Sequence, residues 1–195
     1  LPLAQVDGEP RRLRSHGFNT DAEAITRSLR DDLSVELRGA KVLLLGAGGA
    51  GRTAALKLAA DGVAELALVN RTCEKAETVA TEIRQRFPQC GVSTGYPAGP
   101  VDLLVNATSL GLRAGDVSPL NVAQFDLRRT KAVFDMIYRP AETPLLQTAK
   151  AAGCRVANGL GMLLYQGARA LEIWTGRTAP VEVMRRALTE HVYGH

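Results

Sequence analysis

The sequence has few cysteines, and their positions argue against a disulfide framework and against a zinc site. Only three of the 195 residues are cysteine, namely Cys73, Cys90 and Cys154. Their number is odd and no two of them form a C-x-x-C pair, whereas disulfide-rich domains and zinc sites need paired ligands. We therefore expect no metal ion, and the reducing cytoplasm is the simplest location for the protein.

The chain also lacks a long apolar run and a large excess of one charge. No apolar segment approaches the roughly 20 residues needed to span a bilayer, so we expect no membrane partner. The formal net charge is +4, and the 24 lysine and arginine residues are scattered along the chain. This distribution argues against nucleic acid as a partner and weakly favours small anionic ligands.

Motifs of several common enzyme classes are missing as well. The glycine-rich segment is not followed by the Lys-Ser or Lys-Thr of a P-loop, and the G-x-S-x-G elbow of serine hydrolases does not occur. His191 and His195 are four residues apart, but no carboxylate or cysteine is spaced to complete a metal site with them. The sequence therefore does not indicate a P-loop protein, a serine hydrolase or a metalloenzyme.

Short apolar segments alternate with segments of helical composition over most of the chain. The predicted strands are residues 41–45, 66–69, 101–105, 131–134 and 155–157. The predicted helices begin near Thr20, with Thr20 and Glu23 as a capping box, and continue with residues 53–60, 74–87, 144–152, 161–174 and 180–191. Strands that alternate with helices predict an α/β fold, a doubly wound, Rossmann-like parallel sheet with helices on both faces.

A glycine-rich turn joins the first predicted strand to the following helix. The segment Gly46-Ala47-Gly48-Gly49-Ala50-Gly51 matches the pattern G-x-G-x-x-G. In such a turn the glycines allow a tight bend and a close approach of the backbone to a pyrophosphate, at which the helix N-terminus points. The alternative is a turn that only connects a strand to a helix. The position between strand and helix favours dinucleotide binding.

The end of the second predicted strand indicates which dinucleotide is bound. An NAD-dependent enzyme usually has Asp or Glu there, which binds the ribose 2′-hydroxyl. Here Asn70, Arg71, Thr72 and Lys75 are found instead. Their guanidinium, hydroxyl and ammonium groups suit a 2′-phosphate, which an acidic residue would repel. We therefore predict NADP as the cofactor, and a helix cap at Thr72 beside two solvated cations is the plainer interpretation.

Six short segments resemble, in order and spacing, the motifs of the shikimate and quinate dehydrogenases. The segments are Gly17-Phe18-Asn19-Thr20-Asp21, Asn70-Arg71-Thr72, Asn106-Ala107-Thr108-Ser109-Leu110-Gly111, Asp135-Met136-Ile137-Tyr138, Thr143-Pro144-Leu145-Leu146 and Asn158-Gly159-Leu160-Gly161-Met162-Leu163 with Gln166. They resemble the family's G-x-N-T-D, N-R-T, N-A-T-S-x-G, D-x-x-Y, T-P-L-L and N-G-x-x-M-L…Q motifs. The resemblance extends from about Asp7 to about Arg186, which is nearly the whole chain.

The resemblance implies an activity and a role for individual residues. The activity would be NADP-dependent reduction of 3-dehydroshikimate to shikimate, a step of chorismate and aromatic amino acid biosynthesis. Asp21 would be the catalytic acidic partner, and Asp21, Tyr138 and Gln166 would contact the substrate. The cofactor-binding residues would be Gly46, Ala47, Gly48, Gly49 and Ala50 at the pyrophosphate, Asn70, Arg71, Thr72 and Lys75 at the ribose phosphate, and Thr108, Met136 and Gly159 beside the nicotinamide.

One residue that the family requires has no counterpart in this sequence. Its general acid and base is a lysine on an N-terminal substrate domain, and none of Lys41, Lys57, Lys75, Lys131 and Lys150 lies in a matching motif. We expect residues 1–18 to be an arm or a remnant of that domain. Residues 19–175 would be the NADP-binding domain with a linking helix, and residues 176–195 a helix that packs back toward the substrate domain. The chain alone is then expected to be inactive, with a homodimer or a fusion to an upstream domain as the protein partners to consider.

Three other functions stay open at this point. One is a quinate or shikimate dehydrogenase that uses NAD. Another is a cofactor domain similar to that of glutamyl-tRNA reductase, which also follows its glycine turn with Asn-Arg-Thr but needs a nucleophilic cysteine in a separate domain. The last is a non-catalytic NADP-binding module, which the missing lysine allows. The segments around Asp21 and Gln166 favour a shikimate dehydrogenase over the tRNA-dependent reductase.

Overall fold

The fold is built around one parallel sheet. The computed structural model describes residues 16–194, so the arm predicted at residues 1–18 lies, up to residue 15, outside the described residues, as does His195. The strands are β1 (Lys41–Leu45), β2 (Glu65–Val69), β3 (Gly91–Thr94), β4 (Val101–Asn106), β5 (Thr130–Asp135) and β6 (Arg155–Asn158). They are ordered β3-β2-β1-β4-β5-β6, and every neighbouring pair is parallel. The doubly wound, Rossmann-like prediction is confirmed.

Helices cover both faces of this sheet. They are α1 (Thr20–Leu33), α2 (Gly49–Ala60), α3 (Cys73–Arg86), α4 (Pro144–Ala151), α5 (Leu160–Thr175) and α6 (Val181–Tyr193). No helix between residues 16 and 194 is both long enough and apolar enough to cross a membrane.

The apolar side chains of β1 show how the two faces are filled. Side chains alternate between the faces of a strand, so neighbouring residues of β1 enter different cores. Val42 and Leu44 pack in the cluster that α1, α2 and α3 cover, where Leu58 is fully buried. Leu43 and Leu45 pack in the opposite cluster together with Phe125 and residues of α4. A strand buried on both sides is apolar at every position, which is why its sequence reads as a continuous hydrophobic run.

Two local predictions need correction. The cap of α1 is Asn19 rather than Thr20: its side-chain oxygen accepts hydrogen bonds from the N–H groups of Asp21 (3.1 Å) and Ala22 (3.3 Å). An Asn side chain caps at least as well as Thr, and from this position it reaches two of the otherwise unpaired donors. Strand β3 was not predicted at all, because its exposed, polar sequence lacks the apolar pattern of a buried strand.

Helices α1 and α5 pack closely and run antiparallel. Arg169 of α5 forms a 3.1 Å ion pair with Glu23 near the start of α1, whereas Gly161 lies against Ser28 and Asp32 near its end. A Cβ atom on Gly161 would overlap the Asp32 carboxylate and the Ser28 hydroxyl, so any larger residue here requires these two side chains to move. At the other end of α5, the one tryptophan, Trp174, is 81% exposed.

Candidate functional site

The residues that follow β1, β2, β4 and β5 meet at one edge of the sheet, because the carboxyl ends of parallel strands lie together. The chain leaves β1 toward β2 and β3, and then returns to form β4 on the opposite side of β1. In open α/β sheets such a reversal of strand order leaves a crevice in which ligands bind. The candidate site is this crevice.

The glycine turn forms the centre of the crevice. Gly46 has a φ of +103°, and a Cβ atom there would lie 2.9 Å from the carbonyl oxygen of Ala107. Within residues 16–194, no protein group accepts a hydrogen bond from the N–H groups of Gly48, Gly49 and Ala50 at the start of α2. A Cβ atom on Gly48 or Gly49 would meet nothing within 4 Å. The turn therefore presents free donors and open space at a positively polarised helix terminus, which fits a pyrophosphate.

Asn70 connects the glycine turn to the loop that follows β2. Its Oδ1 atom accepts a hydrogen bond from the Ala47 N–H group at 3.0 Å, and its Nδ2 atom donates to the carbonyl oxygen of Thr72 at 2.8 Å. Both ends of the amide are thus used inside the protein. In this arrangement Asn70 holds the two loops together, and the Ala47 N–H group is already engaged.

The loop after β2 carries free cationic groups. Arg71, Thr72 and Lys75 are exposed at the start of α3. Among the ion pairs of the described residues, none includes Arg71 or Lys75, although other cations of α3 do pair with carboxylates. Thr72 occupies the N-cap position, but its side chain makes no capping hydrogen bond. The plainer interpretation is thus correct in placing Thr72 at the cap position beside two exposed cations, but the Thr72 hydroxyl makes no capping bond. These groups are available to bind an anion beside the glycine turn.

A cavity of about 860 Å³ lies on the other side of the glycine turn. Four of the predicted site residues line it, namely Ala50, Thr108, Met136 and Tyr138. Helix α6 adds His191 to its wall. The lining combines apolar side chains with a few polar groups, as is usual for sites that bind small organic molecules.

A buried carboxylate lies behind this cavity. Asp135, at the end of β5, has no exposed surface. Its Oδ1 atom accepts hydrogen bonds from Asn106 Nδ2 at 2.9 Å and from the Ile137 N–H group at 3.1 Å, and its Oδ2 atom accepts one from the Thr143 hydroxyl at 2.7 Å. Burial raises the pKa of the Asp135 carboxyl above its ordinary value, although these three hydrogen bonds act in the opposite direction.

Asn106 connects the Asp135 carboxylate to Thr108 in the cavity wall. Its Oδ1 atom accepts hydrogen bonds from the N–H group of Thr108 at 2.9 Å and from the Thr108 hydroxyl at 2.8 Å. Asn106 is itself fully buried at the end of β4. The turn after β4 is therefore fixed to the end of β5 through one side chain.

The last turn of α6 is attached to the same region. The hydroxyl group of Tyr193 donates a hydrogen bond to the carbonyl oxygen of Tyr138 at 2.8 Å and accepts one from Asn158 Nδ2 at 2.9 Å. Helix α6 thereby closes one side of the cavity.

Of the six residues predicted at the substrate or beside the nicotinamide, three lie outside the cavity lining. Asp21 is exposed in the first turn of α1, and Gln166 is half-buried on α5, where its Nε2 atom donates to the carbonyl oxygen of Leu163. Gly159 is buried at the start of α5, and a Cβ atom on it would lie 2.0 Å from the carbonyl oxygen of Met136. Gly159 therefore lets α5 approach the end of β5, while Asp21 and Gln166 are not brought to the cavity.

Sequence reasoning assigned no role to two residues that shape the site. Asp135 was only part of a motif, although a carboxylate at the end of an apolar strand is a signal that could have been used. His191 was considered only as a metal ligand. Its place in the cavity wall depends on how α6 folds back, and no sequence pattern reveals that.

Two family models match the chain. The model for shikimate / quinate 5-dehydrogenase matches residues 28–95, and the model for the shikimate 5'-dehydrogenase C-terminal domain matches residues 159–189. A curated relative from Methanopyrus kandleri, named shikimate dehydrogenase (NADP(+)), is 40% identical over 188 residues, which cover 93% of this chain and 65% of the relative.

Solved structures of related reductases superpose on most of this chain. A shikimate dehydrogenase crystallised with NADP+ superposes with a TM-score of 0.79 at 35% identity, covering 90% of this chain and 62% of that one. The ligand-free 5-ketofructose reductase of Gluconobacter sp. strain CHM43 superposes with a TM-score of 0.77 at 37% identity, covering 89% of this chain and 63% of that one. The chain thus spans less than two thirds of the length of each of these three proteins.

Proposed function

Because the chain belongs to the shikimate / quinate 5-dehydrogenase family, we propose that it is the NADP-binding portion of an NADP-dependent shikimate dehydrogenase. The reaction would be reduction of 3-dehydroshikimate to shikimate, in the cytoplasm, within aromatic amino acid biosynthesis. The proposal includes the division of the chain into an arm or remnant of a substrate domain (residues 1–18), the NADP-binding domain with a linking helix (residues 19–175) and a helix that packs back toward the substrate domain (residues 176–195).

The observation that carries the proposal is the pairing of two anion-binding features in one crevice. Within residues 16–194, the N–H donors of Gly48 and Gly49 are free and neither Arg71 nor Lys75 forms an ion pair. Arg71 lies on the loop that Asn70 attaches to the same turn, and Lys75 lies in the first turn of α3. A dinucleotide with a 2′-phosphate carries negative charge at these two separate places. No carboxylate follows β2 at the position where NAD-dependent enzymes use one, since Asn70 occupies it.

The strand order determines how the chain's own residues would hold such a molecule. The adenosine half would lie over the end of β2, where Arg71 and Lys75 bind the 2′-phosphate, and the glycine turn over β1 would bind the pyrophosphate. The other half then extends over β4 and β5, where Thr108 and Met136 line the cavity. When bound, the cofactor supplies the hydride, and the protein supplies orientation and electrostatics.

We propose that Asp21, Tyr138 and Gln166 act on the substrate, with Asp21 holding a proton-transferring lysine in its charged form. None of the described residues that line the cavity is a lysine. In this proposal the lysine belongs to a segment outside these 195 residues, and Asp21 and Gln166 face that segment rather than the cavity.

A second candidate is the reduction of another polyhydroxylated ketone. The similarity to a 5-ketofructose reductase, at 37% identity, favours it. The two candidates share the cofactor site and differ in the substrate pocket, so the glycine turn does not distinguish them.

Isothermal titration calorimetry of the chain with NADP+ and with NAD+ tests the proposal. We expect NADP+ to bind at least ten times more tightly, because a charge-assisted contact to the 2′-phosphate contributes roughly 1.5–3 kcal/mol. Equal affinities, or no binding of either dinucleotide, would refute it. The chain joined to a family N-terminal domain is then assayed for oxidation of shikimate, quinate and fructose. The compound that it oxidises distinguishes the two candidate functions.

A further inference from the structure

Asp135 is a buried acidic residue that the proposed chemistry does not use. It has no exposed surface, and within the described part of the chain no lysine or arginine forms an ion pair with it. Its partners are three hydrogen-bond donors, from Asn106, Ile137 and Thr143. Burying a carboxylate without a cation is costly, so its presence at the carboxyl edge of the sheet needs an explanation.

The three donors lead to three different parts of the site. Asn106 leads to Thr108, whose N–H and hydroxyl groups both bind the Asn106 Oδ1 atom. The Ile137 N–H group lies between Met136 and Tyr138, which both line the cavity. The Thr143 hydroxyl also accepts a hydrogen bond from the Leu146 N–H group, 3.3 Å away, and so caps α4.

A carboxylate is suited to this position because it only accepts hydrogen bonds. Each of its oxygens has room for two donors, so one side chain fixes groups from β4, from the segment after β5 and from the start of α4. Asn106 then has its Nδ2 atom bound to Asp135 and its Oδ1 atom directed at Thr108, which leaves the amide a single orientation. An apolar side chain at position 135 would leave three buried donors without acceptors.

From this geometry we infer that Asp135 is the positioning residue of the cavity: it sets Thr108 through Asn106, and Met136 and Tyr138 through the main chain of Ile137. The inference rests on the proposed function, because it assigns this cavity to the nicotinamide half of NADP. In that proposal the adenosine half would be held over β2 by Arg71 and Lys75, away from these groups. Asp135 therefore affects one half of the cofactor site and leaves the other half unchanged.

Two ligands allow the contributions of the two halves of the cofactor site to be measured separately. NADP+ occupies the whole crevice, whereas adenosine 2′,5′-bisphosphate carries the 2′-phosphate and one 5′-phosphate but no nicotinamide. Titration of the chain with both ligands by calorimetry measures each half without any need for turnover. A residue that only stabilises the fold would change both affinities together.

In Asp135→Leu we expect the dissociation constant of NADP+ to rise at least tenfold, while that of adenosine 2′,5′-bisphosphate changes less than twofold. Asp135→Asn is the conservative control: it keeps an acceptor for Asn106 and Ile137, and the Thr143 hydroxyl can accept from the new amide. We expect this variant to bind NADP+ within threefold of the unmodified chain. Circular dichroism establishes that each variant is folded.

Asn106→Leu provides an independent route if Asp135→Leu does not fold. It keeps the bonds of Asp135 to Ile137 and Thr143 and removes every bond of the Asn106 amide, namely those to Asp135 and Thr108 and the long contact to the Leu110 carbonyl oxygen at 3.5 Å. Because Thr108 loses its acceptor, the same selective loss of NADP+ affinity is expected. Equal losses for both ligands, or no loss for NADP+, would overturn the inference. Failure of both leucine variants to fold would also overturn it, because the network would then be a requirement of folding. If the unmodified chain binds neither ligand, the proposed function fails instead.

Discussion

At the scale of single residues, some polar groups of the site bind other protein groups, whereas others are free to bind a ligand. Asn70 uses both ends of its amide to connect two loops, whereas Arg71 and Lys75 beside it have no carboxylate partner in the described chain. The sequence analysis predicted Asn70 and Arg71 of the Asn-Arg-Thr motif, and Lys75 after it, at the cofactor, but only the structure shows which of them are already engaged. Side-chain hydrogen bonds of this kind depend on the relative position of two loops, which a sequence does not contain.

Replacement of Arg71 tests the cofactor corner directly. In Arg71→Ala we expect NADP+ affinity to fall by roughly 10- to 150-fold, because a charge-assisted bond to phosphate is lost, while NAD+ affinity stays unchanged. Arg84→Ala removes an exposed arginine of α3, the helix that follows Arg71; Arg84 pairs with Glu77, and its loss should alter neither affinity. Calorimetry with both dinucleotides decides the matter, and a parallel loss of NAD+ affinity would contradict the assignment.

Asp135 also predicts a dependence of stability on pH. Its pKa is raised in the folded protein from the usual 3.8, so the folded state holds the proton more tightly than the unfolded state. The contribution of Asp135 to the free energy of unfolding is therefore fully present below about pH 4, and it declines as the pH rises through the pKa of the folded state. The free energy of unfolding of Asp135→Asn, relative to the unmodified chain, should therefore increase from pH 4 upward. Urea titrations at several pH values measure this difference, and a difference of the opposite slope would refute it.

Asp21 is expected to serve chemistry rather than cofactor binding. In a complete enzyme that contains this chain, Asp21→Asn should lower kcat by roughly 100-fold or more, with NADP+ affinity changed only a few-fold. Glu23→Gln is the control for the helix dipole, because Glu23 lies in the same first turn of α1; it also removes the exposed ion pair with Arg169, which contributes little to stability. Equal effects of the two substitutions would indicate that Asp21 matters only to the helix.

At the scale of elements, apolar patterning predicted every buried strand but not the exposed edge. Strands β1, β2, β4 and β5 are apolar runs, and β6 at one edge still contains the apolar pair Val156 and Ala157, whereas β3 at the other edge carries Ser93 and Thr94 and has no such pattern. Helix α2 begins at Gly49, before the helical composition that starts at Thr53, because the glycine turn itself forms the first turn. Propensity disfavours glycine in helices, so only the tertiary arrangement explains this start.

The contact between α1 and α5 gives a test at this scale. In Gly161→Ala the new methyl group meets Asp32 Oδ2 and Ser28 Oγ, so we expect a loss of about 1–3 kcal/mol in the free energy of unfolding. Gly167→Ala is the matched control on the same helix, since its Cβ would have only the end of Met184 nearby, at 3.8 Å. This control should be neutral or stabilising by up to about 1 kcal/mol. Urea unfolding followed by circular dichroism compares them, and equal behaviour would contradict the packing argument.

At the scale of the whole molecule, the cofactor part of the candidate site has all its predicted elements in place, whereas the substrate part does not. The cofactor crevice is formed by one sheet and its loops, all within the described residues. Asp21 and Gln166, by contrast, do not line the cavity, although the motifs placed them at the substrate. The sequence could suggest the substrate contacts only through the resemblance, because their position relative to the cavity depends on how α1 and α5 meet the rest of the protein.

This difference predicts binding without turnover. The polypeptide of residues 1–195, assayed as such, should bind NADP+ but show no oxidation of shikimate between pH 6 and pH 10, because no lysine is found among residues 16–194 that line the cavity. Joining a family N-terminal domain upstream should restore formation of NADPH, followed by absorbance. Turnover by the 195-residue polypeptide would direct attention to His191, the titratable ring in the cavity wall.

The exposed position of Trp174 makes the protein's fluorescence informative in an unusual way. Because this single indole is already 81% in contact with solvent, its emission should be red-shifted in the native state and should change little when the chain unfolds. Any polypeptide segment that covers this end of α5 would remove water from the ring and shift the emission to shorter wavelength. The same tryptophan that reports poorly on unfolding thus reports directly on the arrival of a neighbouring domain.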